Sequence, residues 1–268
     1  MNPQDYSHVD VCQRALTDEN VFNNFKRDSN YCSVLEHVTV TLARKYFELL
    51  KERFGSVISK INWVLIKEND SIGNPVTAEF STELKSYVAL SNYKFSPSIF
   101  RYVYTGLDII DKYLRKVTGS TVIDLYNDNL QHHIEIDIVE IGGGYGGQAK
   151  ILFDLLANTG LTIRTYTIID LCYVSQLQNK ILTKLCYDKM KYMTYDMIVN
   201  LELDTLLPHY DLLISNYGLG ELRIEIIEKY LETVVKRCQH YYIIYNGRTI
   251  HSYFINDKNQ SEPDKNCL

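Results

Sequence analysis

The sequence predicts an α/β protein in which a doubly wound parallel sheet fills the C-terminal half and a helical region precedes it. Three observations carry this expectation. Before residue 130 the apolar residues recur at helical spacing, whereas from Ile134 they become β-branched and alternating. Strand-like and helix-like runs then follow one another, as βαβ units require. A glycine-rich turn, 142–147, sits where the first of these strands meets its helix.

The elements follow in order. Val11 to Phe25 carries a weak helical pattern. Leu35, Val38, Leu42, Tyr46, Leu49 and Leu50 mark one face of a longer helix running to Phe54, before Gly55. Asn74-Pro75 and Ser96-Pro97 punctuate the middle as turns or helix starts. After Pro97, the positions Ile99, Tyr102, Val103, Leu107, Ile110 and Leu114 suit another helix that ends near Gly119. Strands are expected over 134–141, 166–169, 190–193, 211–215 and 241–245. Helices are expected from Ala149 to Leu156, from Leu177 to Leu185 and from Leu222 to Val235. The reading divides the chain by role, with 1–130 as a helical cap that selects the acceptor and 131–268 as the cofactor-binding part.

Composition narrows the function classes. The chain has 268 residues, 46% hydrophobic and 23% charged, enough for one large domain or a small pair and for a buried core. With 28 basic against 33 acidic residues the net charge is −5, so no overall basic field attracts a nucleic acid backbone. The start, Met1-Asn2-Pro3-Gln4-Asp5, leads into polar sequence, and no apolar run approaches ~18 residues. Neither a secretion signal nor a membrane span is expected. Cys12, Cys32, Cys172, Cys186, Cys238 and Cys267 form no C-x-x-C pair, which suits free thiols in a reducing cytoplasm. The 22 tyrosines are a compositional background until a site demands them.

The strongest chemical signal is Glu140-Ile141-Gly142-Gly143-Gly144-Tyr145-Gly146-Gly147-Gln148. Glycines at a strand-to-helix turn let backbone N–H groups approach a ligand at the helix N-terminus. Gly142, Gly144 and Gly147 satisfy G-x-G-x-x-G, and Asp170 ends the second strand 23 residues past Gly147, placed for ribose hydroxyls, with Leu171 beside it. A nicotinamide dinucleotide and S-adenosylmethionine both use this arrangement. The second is favoured by the acid two residues before the first glycine, Glu140. It is favoured also by an acidic–apolar pair after the third strand, Asp196-Met197, which suits an adenine pocket. A hydride-transfer enzyme would usually carry its substrate domain after the cofactor domain, whereas here the extra residues come mainly before it.

These residues resemble the sugar O-methyltransferases, a family of class I S-adenosylmethionine-dependent enzymes with a Rossmann-like sheet. The likeness rests on the string from Glu140 to Gln148, on Tyr166-Thr167-Ile168-Ile169-Asp170-Leu171, and on Ser215-Asn216-Tyr217-Gly218-Leu219-Gly220-Glu221-Leu222. Upstream, Val34-Leu35-Glu36-His37-Val38, Gly73-Asn74-Pro75, Phe95-Ser96-Pro97-Ser98 and Arg101-Tyr102 extend it, so that it runs from about residue 20 to 247. Two departures stand out. Cys172 replaces the family's usual proline, and only 21 residues follow Gly247, too few for the family's terminal hairpin and its connecting helix, so either a sheet that is short at that edge or a tail with a different role is expected.

The resemblance implies methyl transfer from S-adenosylmethionine to a sugar hydroxyl, on a nucleotide-sugar or a glycan end, with S-adenosylhomocysteine as product. Its cofactor residues would be Glu140, Gly142, Gly144, Tyr145, Gly146, Gln148, Asp170, Leu171, Asp196, Met197 and Asn216. Asn216 would position substrate, Tyr217, Arg101 and Tyr102 would bind it, and Glu221 would act as base or acceptor-orienting group. Glu221 is equally well explained as a carboxylate at a helix N-terminus. His251, after the fifth strand, is the other candidate base, and a surface histidine is its plain alternative. Arg101 suits either a phosphate or an ordinary ion pair. His37 and His209 lack partners at metal-ligand spacing, so no metal site is expected, although the family leaves a carboxylate-held Mg²⁺ open. A cytoplasmic enzyme with neither nucleic acid nor membrane as partner is expected, as a homodimer through its N-terminal helices. The rival functions are an NAD(P)-dependent oxidoreductase and a catalytically inactive methyltransferase fold that serves as a binding subunit.

Overall fold

A computed structural model describes residues 7–130, 132–200 and 207–245. The helical half contains α1 (Ser7–Thr17), α2 (Glu19–Asn24), α3 (Ser29–Cys32), α4 (Val40–Ile58) and α5 (Trp63–Glu68). A small antiparallel pair, β1 (Ala78–Glu79) and β2 (Lys94–Phe95), flanks α6 (Ser81–Leu84). Then come α7 (Pro97–Val117) and α8 (Val122–Tyr126). The second half alternates β3 (Ile134–Ile141), α9 (Gly147–Leu156), β4 (Leu161–Asp170), α10 (Cys172–Lys184), β5 (Met190–Thr194), α11 (Tyr195–Val199), β6 (Tyr210–Asn216), α12 (Ile224–Thr233) and β7 (Cys238–Ile244).

The five long strands form one sheet in the order β5-β4-β3-β6-β7, with every neighbouring pair parallel. The chain winds outward from β3 in both directions, so the fold is the doubly wound α/β class the periodicity predicts, with its switch point between β3 and β6. Residues of α4 and α7 belong to the same buried apolar cluster as Ile136 and Ile138 of β3, Leu152 of α9 and Tyr166 of β4. The helical half therefore covers one face of the sheet. Among the described residues no helix is long and apolar enough to cross a membrane.

Local chemistry moves several boundaries. The segment expected as one helix from Val11 to Phe25 breaks after Thr17, because Asp18 caps a new helix by accepting from Asn20 N at 2.8 Å and Val21 N at 3.2 Å. The helix expected from Leu35 starts only at Val40, capped by Thr39, whose Oγ1 accepts from Leu42 N at 3.2 Å. It also runs past Gly55, with a kink at Phe54 (φ −130°, ψ 24°). Leu35 is thereby freed from the helix for a different task. After β6, residues 218–221 form a 3₁₀ turn and Leu222 is extended, so the expected helix begins at Ile224. β7 starts three residues earlier than expected.

Candidate active site

All the candidate cofactor residues collect at the carboxyl edge of the parallel sheet. Gly142 N donates to Ile169 O (3.0 Å), Asp170 pairs with Thr194 in register, and Asn216 pairs with Ile244. At the switch point the turn after β3 touches the turn after β6. A Cβ on Gly142, whose φ is +76°, would lie 2.9 Å from Gly218 Cα. Only glycine suits that position. Gly144 and Gly146 also have positive φ, and the loop opens directly into α9. Gly146 N donates to Gly143 O (2.9 Å), and the amides of the first turn of α9, which have no partner within the helix, lie at the same edge.

Two carboxylates support this loop from below and beside it. Glu140 is 1% exposed and accepts from Tyr166 OH at 2.9 Å. Its Oε2 lies 3.2 Å from where a Gly143 Cβ would stand. Burial lifts its carboxyl to about 7, the Asp170 charge adding to the rise and the Tyr166 hydrogen bond opposing it. Asp170 accepts from Leu171 N (2.8 Å) and Gln178 Nε2 (2.9 Å). Burial raises it to about 6, against the hydrogen bonds from Leu171, Gln178 and the amides of Gly143 and Gly144. The chain's own donors thus occupy the carboxylate, and ribose hydroxyls reaching it compete with them. Gln178 also donates to Gly144 O at 2.7 Å, tying α10 to the loop.

Asp196 and Met197 open α11 beside the end of β4, as an adenine pocket would need, and Met197 is 52% exposed. Tyr145 is buried (2% exposed). Its hydroxyl accepts from Asn69 Nδ2 (2.8 Å), and Lys26 Nζ lies 3.8 Å from its ring centroid. Gln148, 2% exposed, bridges the two halves of the chain: Nε2 donates to Tyr102 O (3.2 Å) and Oε1 accepts from Asn216 Nδ2 (3.4 Å). Asn216 Oδ1 has no hydrogen-bond partner among the described residues. Tyr217 takes φ +71°, a sterically costly backbone for an aromatic residue, fixed by Tyr217 N donating to Ile244 O (2.8 Å) and Gly220 N to Tyr217 O (2.8 Å). Glu221 ends the 3₁₀ turn at an exposed position.

Arg101 and Tyr102 stand near the start of α7, half-buried, with the guanidinium 5.1 Å from the Tyr102 ring centroid. Tyr102 meets Tyr145 edge to face at 6.0 Å, which brings the helical half against the glycine loop. His251 lies outside the described residues. His133 is at the opposite end of the sheet, on Thr162 Oγ1 (3.0 Å). Among the described residues no group of three or more His, Cys, Asp or Glu could hold a metal ion.

Residues that the sequence did not single out complete the site. Gln178 reads there as one more polar helix residue, yet it is fully buried. Leu35 covers the loop, with Cδ2 3.3 Å from a Cβ position on Gly144. Lys26 approaches from the 3₁₀ turn before α3, Tyr31 from α3 and Asn69 from the 3₁₀ turn after α5, and only contacts across more than 40 residues reveal Lys26 and Asn69.

The loop, Asp170 and the unpartnered Asn216 oxygen together suit S-adenosylmethionine: amides and acceptors at one edge, beside an apolar–acidic pair for adenine. No family model and no curated protein matches the chain. Similar solved structures include PKMT2 from Rickettsia typhi with AdoHcy (18% identity, TM-score 0.36, 53% of this chain covered). The matched part spans 25% of that protein's length. The plantazolicin methyltransferase BpumL, with a substrate analogue and SAH, is similar at 17% identity and TM-score 0.35, over 57% of this chain and 49% of that one.

Proposed function

We propose that the chain is an S-adenosylmethionine-dependent O-methyltransferase acting on a sugar hydroxyl. The observation that carries the reading is the Glu140–Gln148 loop at the carboxyl end of β3, opposite Asn216 and beside Asp170 and Asp196-Met197. When bound, S-adenosylmethionine supplies an electrophilic methyl group on a sulfonium. Glu140, Asp170 and Gln178 hold the glycine loop in shape, and Asn216 Oδ1 offers a fixed acceptor at the switch point. The helical half supplies Arg101 and Tyr102 and excludes water above the loop. Holding an acceptor oxygen in line is the main service such a site performs. Glu221 and His251 are the candidates for receiving the acceptor's proton.

Calorimetry with S-adenosylmethionine, S-adenosylhomocysteine and NAD tests the reading. Binding of both sulfur compounds and not of NAD is expected; binding of NAD alone would sink it in favour of an oxidoreductase. Cofactor binding without transfer to any sugar in a broad acceptor screen would point to a binding subunit. Glu221→Gln and His251→Ala, assayed at saturating cofactor, assign the base, and an unaffected rate removes the residue tested. The assembly and setting that go with this function are a homodimer in the cytoplasm.

A further inference from the structure

At the switch point the chain leaves one side-chain oxygen unused. Asn216 Oδ1 is buried and has no hydrogen-bond partner among the described residues. The rim around it is open, because Asn216, Tyr217 and Gly218 after β6 and Gly142, Gly143 and Gly144 after β3 are all only half-buried. The crevice of a doubly wound sheet opens at this place. A shielded amide oxygen without a partner is unfavourable, so a donor belongs beside it in the loaded site.

A short chain of hydrogen bonds explains why the oxygen of this amide, and not its nitrogen, is left over. The chain starts at the Tyr102 carbonyl in α7, which can only accept. Gln148 Nε2 donates to that carbonyl at 3.2 Å, so Gln148 Oε1 is left for Asn216, and it accepts from Asn216 Nδ2 at 3.4 Å. Turning the Asn216 amide over would set Oδ1 against Gln148 Oε1; turning both amides over would set Gln148 Oε1 against the Tyr102 carbonyl. Packing fixes both ends. Gln148 is 2% exposed, and α7 comes this close to it because Gly106 has no side chain: a Cβ there would lie 3.3 Å from Gln148 Nε2 and 2.7 Å from Leu155 Cδ1. At the other end, Ser215 Oγ donates to Ile141 O (3.0 Å) and accepts from Leu219 N (2.9 Å), while Tyr217 N donates to Ile244 O (2.8 Å).

We infer that Gln148 is a positioning residue, which carries the polarity of the Tyr102 carbonyl to Asn216 so that Asn216 Oδ1 accepts from a hydrogen-bond donor of the bound nucleoside cofactor. The cofactor, and not the methyl acceptor, is the partner because Gln148 belongs to the glycine loop itself and the turn after β6 touches that loop at Gly142. The donor is the ammonium of the cofactor's amino-acid tail or a ribose hydroxyl; a carboxylate, which only accepts, is turned away. The helical half thus acts on this edge through the backbone of Tyr102. The inference rests on the methyl-transfer reading for the ligand, and on the hydrogen-bond chain for the orientation.

The test is calorimetry on the full chain with S-adenosylhomocysteine and with 5′-methylthioadenosine, which lacks the amino-acid tail. Gln148→Met keeps the bulk of the side chain and frees the Asn216 amide to turn. It should weaken S-adenosylhomocysteine about tenfold, with the cooperative melt retained. Adding Asn216→Asp, whose two side-chain oxygens both accept, should bring the affinity back to within about threefold of wild type, which a packing role for Gln148 would not do. A loss confined to S-adenosylhomocysteine assigns the donor to the ammonium, and an equal loss for 5′-methylthioadenosine assigns it to a ribose hydroxyl. Wild-type affinity in Gln148→Met, or a loss that Asn216→Asp does not recover, overturns the inference. Urea unfolding judges the relay without any cofactor. With Gln148 in place, Asn216→Asp sets two acceptors face to face, and should lower the folding constant about tenfold more than it does in the Gln148→Met background. Equal effects in the two backgrounds overturn the relay. Failure of the wild type to bind S-adenosylhomocysteine is a separate result, which removes the methyl-transfer reading and its donor and leaves the relay to the unfolding comparison.

Discussion

Glu140→Gln isolates the charge that the fold buries beneath the glycine loop. The carboxyl is 1% exposed and rises from an ordinary 4.5 to about 7, chiefly through burial. Raising an acid that far corresponds to about 3 kcal/mol. The native state therefore binds the proton more tightly than the unfolded chain does. This stabilisation is complete below pH 4.5 and is lost as the pH rises through 7. Glutamine keeps the shape and an oxygen for the Tyr166 hydroxyl, and has no charge to desolvate. The variant should match the wild type near pH 4 and exceed it by about 2–3 kcal/mol at pH 8. Urea unfolding followed by circular dichroism at pH 4, 6 and 8 measures the difference. Equal stabilities across that range, or a variant weaker at pH 8 than at pH 4 relative to wild type, would refute a desolvated carboxylate at this position.

Three further outcomes follow from the same geometry. Gly142→Ala meets Gly218 Cα at 2.9 Å with φ +76°, so it should lose about 2–4 kcal/mol in urea unfolding and bind S-adenosylhomocysteine too weakly for calorimetry to detect. Tyr217→Asn places a residue that tolerates φ +71°; stability should hold or rise by up to about 1 kcal/mol while methyl transfer falls, and a drop in melting temperature would count against backbone strain there. Gln148→Leu removes hydrogen bonds to Tyr102 O and Asn216 at once, and should cost about 1–3 kcal/mol in the same unfolding assay.

The sheet and its glycine turn are legible in the sequence because both are local. A β-branched run such as Ile134–Ile141 has few alternatives, and glycines between a strand and a helix mark a tight turn wherever they occur. Asp170, Asp196 and Asn216 follow as residues at the carboxyl ends of parallel strands. What stayed hidden is the set of contacts made by Leu35, Lys26, Asn69 and Gln178. Leu35 matches a helix face by spacing, yet the competing cap at Thr39 starts that helix later and leaves Leu35 to pack over Gly144. Lys26, Asn69 and Gln178 look solvated in one dimension; their burial is created by elements far away in the chain. Tyr31, one of 22 tyrosines, carries no local signature that separates it from the rest.

The apolar cluster that joins α4 and α7 to β3, α9 and β4 has a consequence for how the chain folds. No gap in the packing falls at residue 130, because residues on both sides of it share that core. A fragment containing only the strands and their helices would present a bare apolar sheet face, and the helices alone would lack the surface that orders them. Ordering of the two parts should therefore be coupled, and slowed by the many contacts between distant parts of the sequence. The N-terminal helices cannot be exchanged for another set by a simple cut and splice, because any change there has to be written into a core that both halves own.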